Sequence, residues 1–199
     1  MGRAANFDGV NDFVKVPSHS EVNFFGAAPG PFQNFTIDFW ARVDPAAASG
    51  LNVVLDKRVN ASQPRGYSVY VYNGYLGFQM ADASTPGSSC GAGTGFPCTN
   101  WVASSGPVAD GNWHLLAIAV DRTAGIGTFY VDGASVGTFT PRTGSLVSGA
   151  PLLIGSRQPA FGLTFFKGDL DELEIFKTAL PQTTIQDIYD AGSAGKCKT

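Results

Sequence analysis

The chain is poor in charge and in reactive side chains. Of its 199 residues 15% are charged, three are cysteine and two are histidine. The net charge is −3 and no basic block stands out, so nothing favours phosphate backbones or anionic membranes as partners. No apolar run approaches the ~20 residues that a bilayer-spanning helix needs. Nucleophile-elbow, phosphate-loop and thiol-protease motifs are missing. So are linkers, tandem repeats and low-complexity blocks, and residues 1–199 read as one domain. There is no apolar leader either. Met1-Gly2-Arg3 run straight into strand-like sequence, as an expression start or a cut from a larger protein would.

The few cysteines and histidines narrow the chemistry further. Cys90 and Cys98 bracket a short glycine-rich loop, with no further His or Cys nearby to complete a zinc site. A loop disulfide is expected, with free thiols the alternative, and it implies an oxidising, extracellular or cell-surface location. Cys197 is left odd in a tail that looks like a domain end. His114 borders an apolar run without a second His or a carboxylate at nucleophile–base spacing, and reads as structural. His19 lies in a polar loop and reads as solvated.

What is present is strand after strand. Hydrophobic residues make up 44% of the chain and aromatics 12%, with 25 Gly and 12 Pro spread along it, as turns between many strands require. Phe35 to Val43 alternates with period two: Phe35, Ile37, Phe39, Ala41 and Val43 share one face. Tyr67–Tyr72 and Tyr75–Met80 flank Asn73-Gly74, a pair suited to a type I′ hairpin turn. Leu115 to Val120 is apolar almost throughout, as a strand covered on both faces would be. Further strands are expected at 13–16, 53–56, 128–131, 135–139, 152–154 and 173–176. One segment reads as helix, with Pro181 in its first turn, Ile185 and Ile188-Tyr189 at helical spacing and Gly192 at its end. The fold class predicted is all-β: a two-sheet antiparallel sandwich with one short C-terminal helix.

Five motifs in order give this pattern a family likeness. They are Phe7-Asp8-Gly9-Val10-Asn11-Asp12-Phe13-Val14, Phe35 to Trp40, Asp110-Gly111-Asn112-Trp113-His114 running to Val120-Asp121-Arg122, Phe129-Tyr130-Val131-Asp132-Gly133, and Gly168-Asp169-Leu170-Asp171-Glu172-Leu173. From about Ala4 to Lys196 the chain resembles the laminin-G-like, concanavalin A-type jelly roll, in its bacterial branch of modules appended to large secreted or surface proteins. The sandwich is therefore expected to be a jelly roll and part of a multidomain protein. Trp113, just before a buried strand, reads as a core or rim plug.

Four carboxylates within six residues, Asp169, Asp171, Glu172 and Glu174, allow three readings. The same jelly roll carries glycosidases of the laminarinase type with a strand motif E-x-D-x-x-E, and retaining chemistry needs two carboxyl groups ~5 Å apart. Here Asp169 replaces the first Glu, the run lies on the last strand, and strict alternation puts Asp169 and Asp171 on one face but Glu174 on the other. The expectation is no enzyme. The second reading is a structural calcium ion. The resemblance implies Asp171 as a ligand pinning the last strand to the first, with oxygens from Asp8, Asn11 and Asp12. The third is an edge charge that deters strand-to-strand association.

The favoured function is recognition on the concave face or rim, with a glycan or a surface protein as partner and no nucleic acid or membrane insertion. Sugars stack on aromatic rings, and Tyr70, Tyr72, Trp101 and Phe161 are the candidate ligand-binding residues, with Tyr75 beside them. Core or edge packing is the competing role for each. The loop from Ala83 to Thr99 is a candidate rim. A protein-adhesion or structural module without a sugar site is the main rival, and a glycoside hydrolase the third.

Overall fold

The computed structural model describes residues 4–24, 33–59, 64–82 and 98–192. The strands are β1 (Ala5–Asp8), β2 (Val14–Val16), β3 (Phe35–Val43), β4 (Leu51–Asp56), β5 (Arg65–Tyr72), β6 (Tyr75–Asp82), β7 (Cys98–Val102), β8 (Trp113–Asp121), β9 (Ile126–Val131), β10 (Ala134–Phe139), β11 (Leu152–Ile154) and β12 (Lys167–Phe176). A single α-helix, α1 (Gln182–Ala191), follows. The strands pair into two six-stranded antiparallel sheets, ordered β1-β12-β3-β8-β9-β10 and β2-β11-β4-β5-β6-β7. We call these the first and second sheets. They face each other as the expected jelly-roll sandwich.

The core lies between them and follows from alternation. Phe35, Ile37, Phe39, Ala41 and Val43 of β3 point inward and are fully buried, against Val69, Val71, Leu76 and Phe78 of the second sheet. The opposite face of the first sheet is buried too. Leu115, Ala117 and Ala119 of β8, with Trp40 and Tyr130, receive Ile185 of α1, while Leu116, Ile118 and Val120 fill the central core. The unbroken apolar run of β8 therefore has apolar neighbours on both sides, as expected. The helix covers the outer face of the first sheet, and the outer face of the second sheet remains without such a cover among the described residues.

Turn chemistry sets the registers. Asn73 (φ 50°) and Gly74 (φ 84°) both adopt positive φ, as does the pair Asp132 (φ 52°) and Gly133 (φ 78°). The first turn fixes Tyr72 opposite Tyr75, and hence Tyr70 opposite Gly77 and Ser68 opposite Gln79.

Two bulges depart from simple alternation, and both redirect carboxylates. In β4 the register with β5 shifts between Val53 and Leu55. Val54 and Leu55 thus both reach the core, and Asp56, opposite Ser68, returns to the outer face alongside Val53. In β12 the register with β3 shifts between Asp171 and Glu174, and Glu172 sits at φ 48°. Asp169, Asp171 and Glu174 oppose Arg42, Trp40 and Asp38, so all three share the outer face of the first sheet. This corrects the alternation argument that sent Glu174 to the other face. The extra residue at the bulge turns Leu173 and Ile175 inward, where they pack against the core.

One strand, β7, was not expected, and β1 falls in the strand-like sequence that follows Arg3. β1 and β7 are short and lie at sheet edges, next to β12 and β6 respectively. β7 begins at Cys98, inside the segment read as loop. Cys90, and with it the Cys90–Cys98 pairing, lies outside the described residues, as do Cys197 and most of the Ala83–Thr99 segment.

Candidate functional site

The outer face of the second sheet carries a hollow of about 300 Å³. Its apolar wall is Leu51 and Val53 of β4, Tyr70 and Tyr72 of β5 and Val102 of β7; its polar groups come from Ser68, Gln79, Asn100, Arg58 and Arg157. Period-two alternation in β5, β6 and β7 aims these side chains outward while their chain neighbours fill the core.

Tyr70 is held in place from below. Its ring lies over Gly77, where an added Cβ would come within 2.1 Å of Cε2. Glycine is thus required here by close approach. The Tyr70 hydroxyl lies 3.3 Å from the Trp101 carbonyl and 3.4 Å from Asn100 Oδ1, and burial raises its pKa well above the ordinary phenol value. It stays a neutral donor across the biological range. Tyr72, 41% exposed, offers a free ring face instead.

Beneath the hollow runs a buried polar network. Asp56 is fully buried and Arg58 nearly so. Asp56 Oδ1 accepts from Arg58 Nε at 2.8 Å and from the Arg58 backbone N–H at 3.0 Å. Its Oδ2 accepts from an Arg58 terminal nitrogen and from the Gln158 backbone N–H. The remaining terminal nitrogen of Arg58 donates to Gln79 Oε1. Gln158 Nε2 closes the network on the carbonyls of Asp56 (3.0 Å) and Pro151 (2.6 Å). A buried ion pair of this kind needs further hydrogen bonds to offset its desolvation, and Gln79, Gln158 and the Arg58 backbone N–H supply them. Phe161, on the turn Pro159–Phe161, stacks on the Arg58 guanidinium at 4.1 Å.

Of the four aromatics expected to meet a ligand, Tyr70 and Tyr72 line the hollow and Phe161 borders it through Arg58. Trp101 is placed elsewhere. Its ring stacks on Phe139 at 4.4 Å and on Phe78 at 6.4 Å, on the core side of β7, because its neighbours Asn100 and Val102 take the outward positions. Tyr75 lies opposite Tyr72, outside the lining. Arg58, Gln79, Asn100 and Arg157 were missed. The hairpin register would have given Gln79, on the face of Tyr70; nothing local in the sequence marks Arg157.

The oxygens expected to hold calcium do not converge. Asp8 pairs with Lys167, whereas Asp171 lies four residues further along β12, about 13 Å away at the usual rise of a strand. Asp8 Oδ1 accepts from the Val10 N–H and Asp12 Oδ2 from the Asp8 N–H, so these carboxylates close the β1–β2 turn on themselves with Asn11 inside it. Asp171 Oδ1 accepts from the N–H of Glu172, at the bulge. Among the described residues no group of three His, Cys, Asp or Glu is arranged to hold a metal ion. The four predicted ligands therefore do not fit one ion. Asp169 is engaged otherwise, by both Arg42 Nε and a terminal nitrogen at 2.8 Å and by Asn6 Nδ2 at 2.9 Å.

His114 has the carboxylate neighbours its sequence spacing hid. Nδ1 meets Asp132 Oδ2 at 2.7 Å and Nε2 meets Asp110 Oδ1 at 3.1 Å. The hydrogen bond that His114 donates to Asp132, assisted by the charges of Asp132 and Asp110, raises the imidazole pKa against the opposing effect of burial. Asp110 is held down to about 2, chiefly by the Asn112 backbone N–H and side chain. This trio ties the loop before β8 to the β9–β10 turn.

No helix among the described residues is long and apolar enough to cross a membrane. No curated protein matches the sequence. Solved structures do match in fold. The binding domain of Paraclostridial Mosquitocidal Protein 1 superposes with a TM-score of 0.68 at 16% identity, over 95% of this chain and 45% of that one. The ligand binding domain of Botulinum neurotoxin serotype D, solved with N-acetylneuraminic acid, gives 0.62 at 12%, over 91% and 40%. The CBM40 of Ruminococcus gnavus IT-sialidase, solved bound to alpha2,3 sialyllactose, gives 0.61 at 11%, over 92% and 96%. The chain spans less than half the length of the first two, and at these identities the likeness is one of fold. The model of the Laminin_G_3 family, described as the concanavalin A-like lectin/glucanases superfamily, matches residues 8–186, and the chain belongs to that family.

Proposed function

We propose that the protein is a non-catalytic recognition module that binds a glycan in the hollow of the second sheet, as part of a larger secreted or surface protein. The observation that carries this reading is the pairing of an exposed ring, Tyr72, with a set of hydrogen-bonding groups, Tyr70, Gln79, Asn100 and Arg157, around one hollow on the outer face of the second sheet. A sugar has an apolar C–H face to lay on such a ring and hydroxyls to meet such groups. Two of the fold neighbours were solved with a sialic acid or a sialylated sugar, which supports the reading. Against hydrolysis, Asp169 is neutralised by the Arg42 fork, which is a poor state for an acid or a nucleophile.

A glycan array with the wild-type protein and Tyr72→Ala tests the proposal. Tyr72 is substantially exposed, so its removal leaves the fold intact. The expected result is binding to a restricted set of glycans that falls roughly tenfold or more in the variant. Absence of binding to any glycan, or binding indifferent to Tyr72→Ala, overturns the proposal. Hydrolysis of a β-glucan that disappears in Asp169→Asn would replace it with the enzyme reading.

A further inference from the structure

The hollow holds two arginines in unlike states. Arg58 is spent: its guanidinium is shared between Asp56 and Gln79, and the pair with Asp56 is neutral. Arg157 is not. Its Nε is buried without a hydrogen-bond partner, and no carboxylate lies within ion-pair distance of it among the described residues. Its guanidinium lies 5.9 Å from the ring of Phe161, while its backbone N–H donates to the Thr164 carbonyl and its carbonyl accepts from Ser156 Oγ. Desolvation and the like charge of Arg58 lower its pKa, against the smaller opposing effect of the Asp56 carboxylate beneath the hollow. No acidic side chain lines the hollow, so Arg157 supplies its uncompensated charge.

A buried donor left unmade is costly, and a desolvated cation more so. The unbalanced charge is relieved by one planar anion with two oxygens, which a guanidinium meets with paired hydrogen bonds. Leu51, Val53, Val102 and the Tyr72 ring leave room beside it for an apolar sugar face rather than a second charge. We propose that the hollow selects glycans bearing a carboxylate, a uronic or a sialic acid, and that Arg157 receives that carboxylate. This rests on the glycan reading of the same hollow.

The test is titration calorimetry with sialyllactose and trigalacturonate, each beside its methyl ester, and with lactose and a 3-sulfated lactose. The ester keeps the shape and removes the charge, so no variant is needed for the central comparison. The expected result is that one of the free acids binds about tenfold or more tightly than its ester, with the difference shrinking as salt rises. Which acid it is separates sialic from uronic ligands. Arg157→Gln brings the acid down to the affinity of its ester, and Arg157→Lys recovers part of the difference, while Tyr72→Ala weakens acid and ester alike. Equal binding of acid and ester overturns the inference and leaves the glycan reading standing. A preference for the sulfated sugar over both acids also overturns it. Binding of no sugar at all removes both.

Discussion

Gly77→Ala is the substitution that most directly probes how the hollow is built. The added methyl carbon would lie 2.1, 2.6 and 2.8 Å from Cε2, Cδ2 and Cζ of Tyr70, inside any real contact distance. The backbone has little freedom to yield, since Gly77 is paired on both sides, with Tyr70 and with Val102. The ring must therefore swing outward, into the volume a ligand would fill, and surrender its hydroxyl contacts to Trp101, Phe78 and Asn100. Overpacking of this sort costs about 1–3 kcal/mol. For a chain of this size each kcal/mol moves Tm by about 2–4 °C, so the melting temperature should fall by roughly 2–12 °C. Thermal denaturation followed by circular dichroism measures it, with Gly149→Ala as a control, because nothing lies within 4 Å of a Cβ there. The double variant Tyr70→Ala/Gly77→Ala completes a cycle. With the ring gone the added methyl fits, and the coupling between the two sites should be about 1–3 kcal/mol. A Gly77→Ala protein that melts within a degree of wild type, or a coupling near zero, would refute the account of Tyr70 as a ring pinned over glycine.

Other outcomes follow from charge and backbone. The raised pKa of His114 means that its interactions with Asp132 and Asp110 contribute fully below the ordinary histidine value of 6.5 and are lost as pH rises through the raised value; Tm measured from pH 5 to 9 should therefore fall more steeply on the alkaline side in wild type than in His114→Gln, and parallel curves would remove the claim. Glu172 holds a left-handed conformation at the β12 bulge, so Glu172→Gly should be neutral or stabilising by up to about 1 kcal/mol in urea unfolding, and a clear loss would mean that its side chain has a role of its own. Because Asp171 is remote from the Asp8–Asp12 turn, Asp171→Ala should leave the response of Tm to calcium and to a chelator as it is in wild type, and a response abolished by the variant would restore Asp171 as a ligand.

The sandwich could be read from the sequence because its period-two runs are long and its turns are chemically explicit. β3 and β11 emerge at the residues expected, the Asn73-Gly74 and Asp132-Gly133 turns adopt the conformations their residues favour, and α1 starts after Pro181 and stops before Gly192. Two of the misreadings share one cause. A bulge adds a residue without marking it in composition, so alternation misplaces Glu174 and gives no reason for Asp56 to point to the outer face. Trp101 looks like a sugar platform by residue type, whereas its direction is set by its register opposite Phe78. The network of Asp56, Arg58, Gln79 and Gln158 joins residues up to 102 positions apart, a distance over which local pattern carries no information. Lys57, the residue after β4, makes the same point. It is fully buried with its ammonium on Ser18, Ser148 and Ala150, and burial lowers its pKa to about 8, although in sequence it looks like a surface charge.

The extra residue in β12 makes spacing a poor ruler when family members are aligned. If Glu172 were deleted, Asp171 would still oppose Trp40, Leu173 would oppose Phe39 and Glu174 would still oppose Asp38. A run spelled D-x-D-x-E without a bulge and one spelled D-x-D-x-x-E with a bulge therefore display the same row of carboxylates on the same face. The gap in such an alignment belongs at position 172. Motif searches that treat the two spellings as different chemistries are measuring a kink in the backbone.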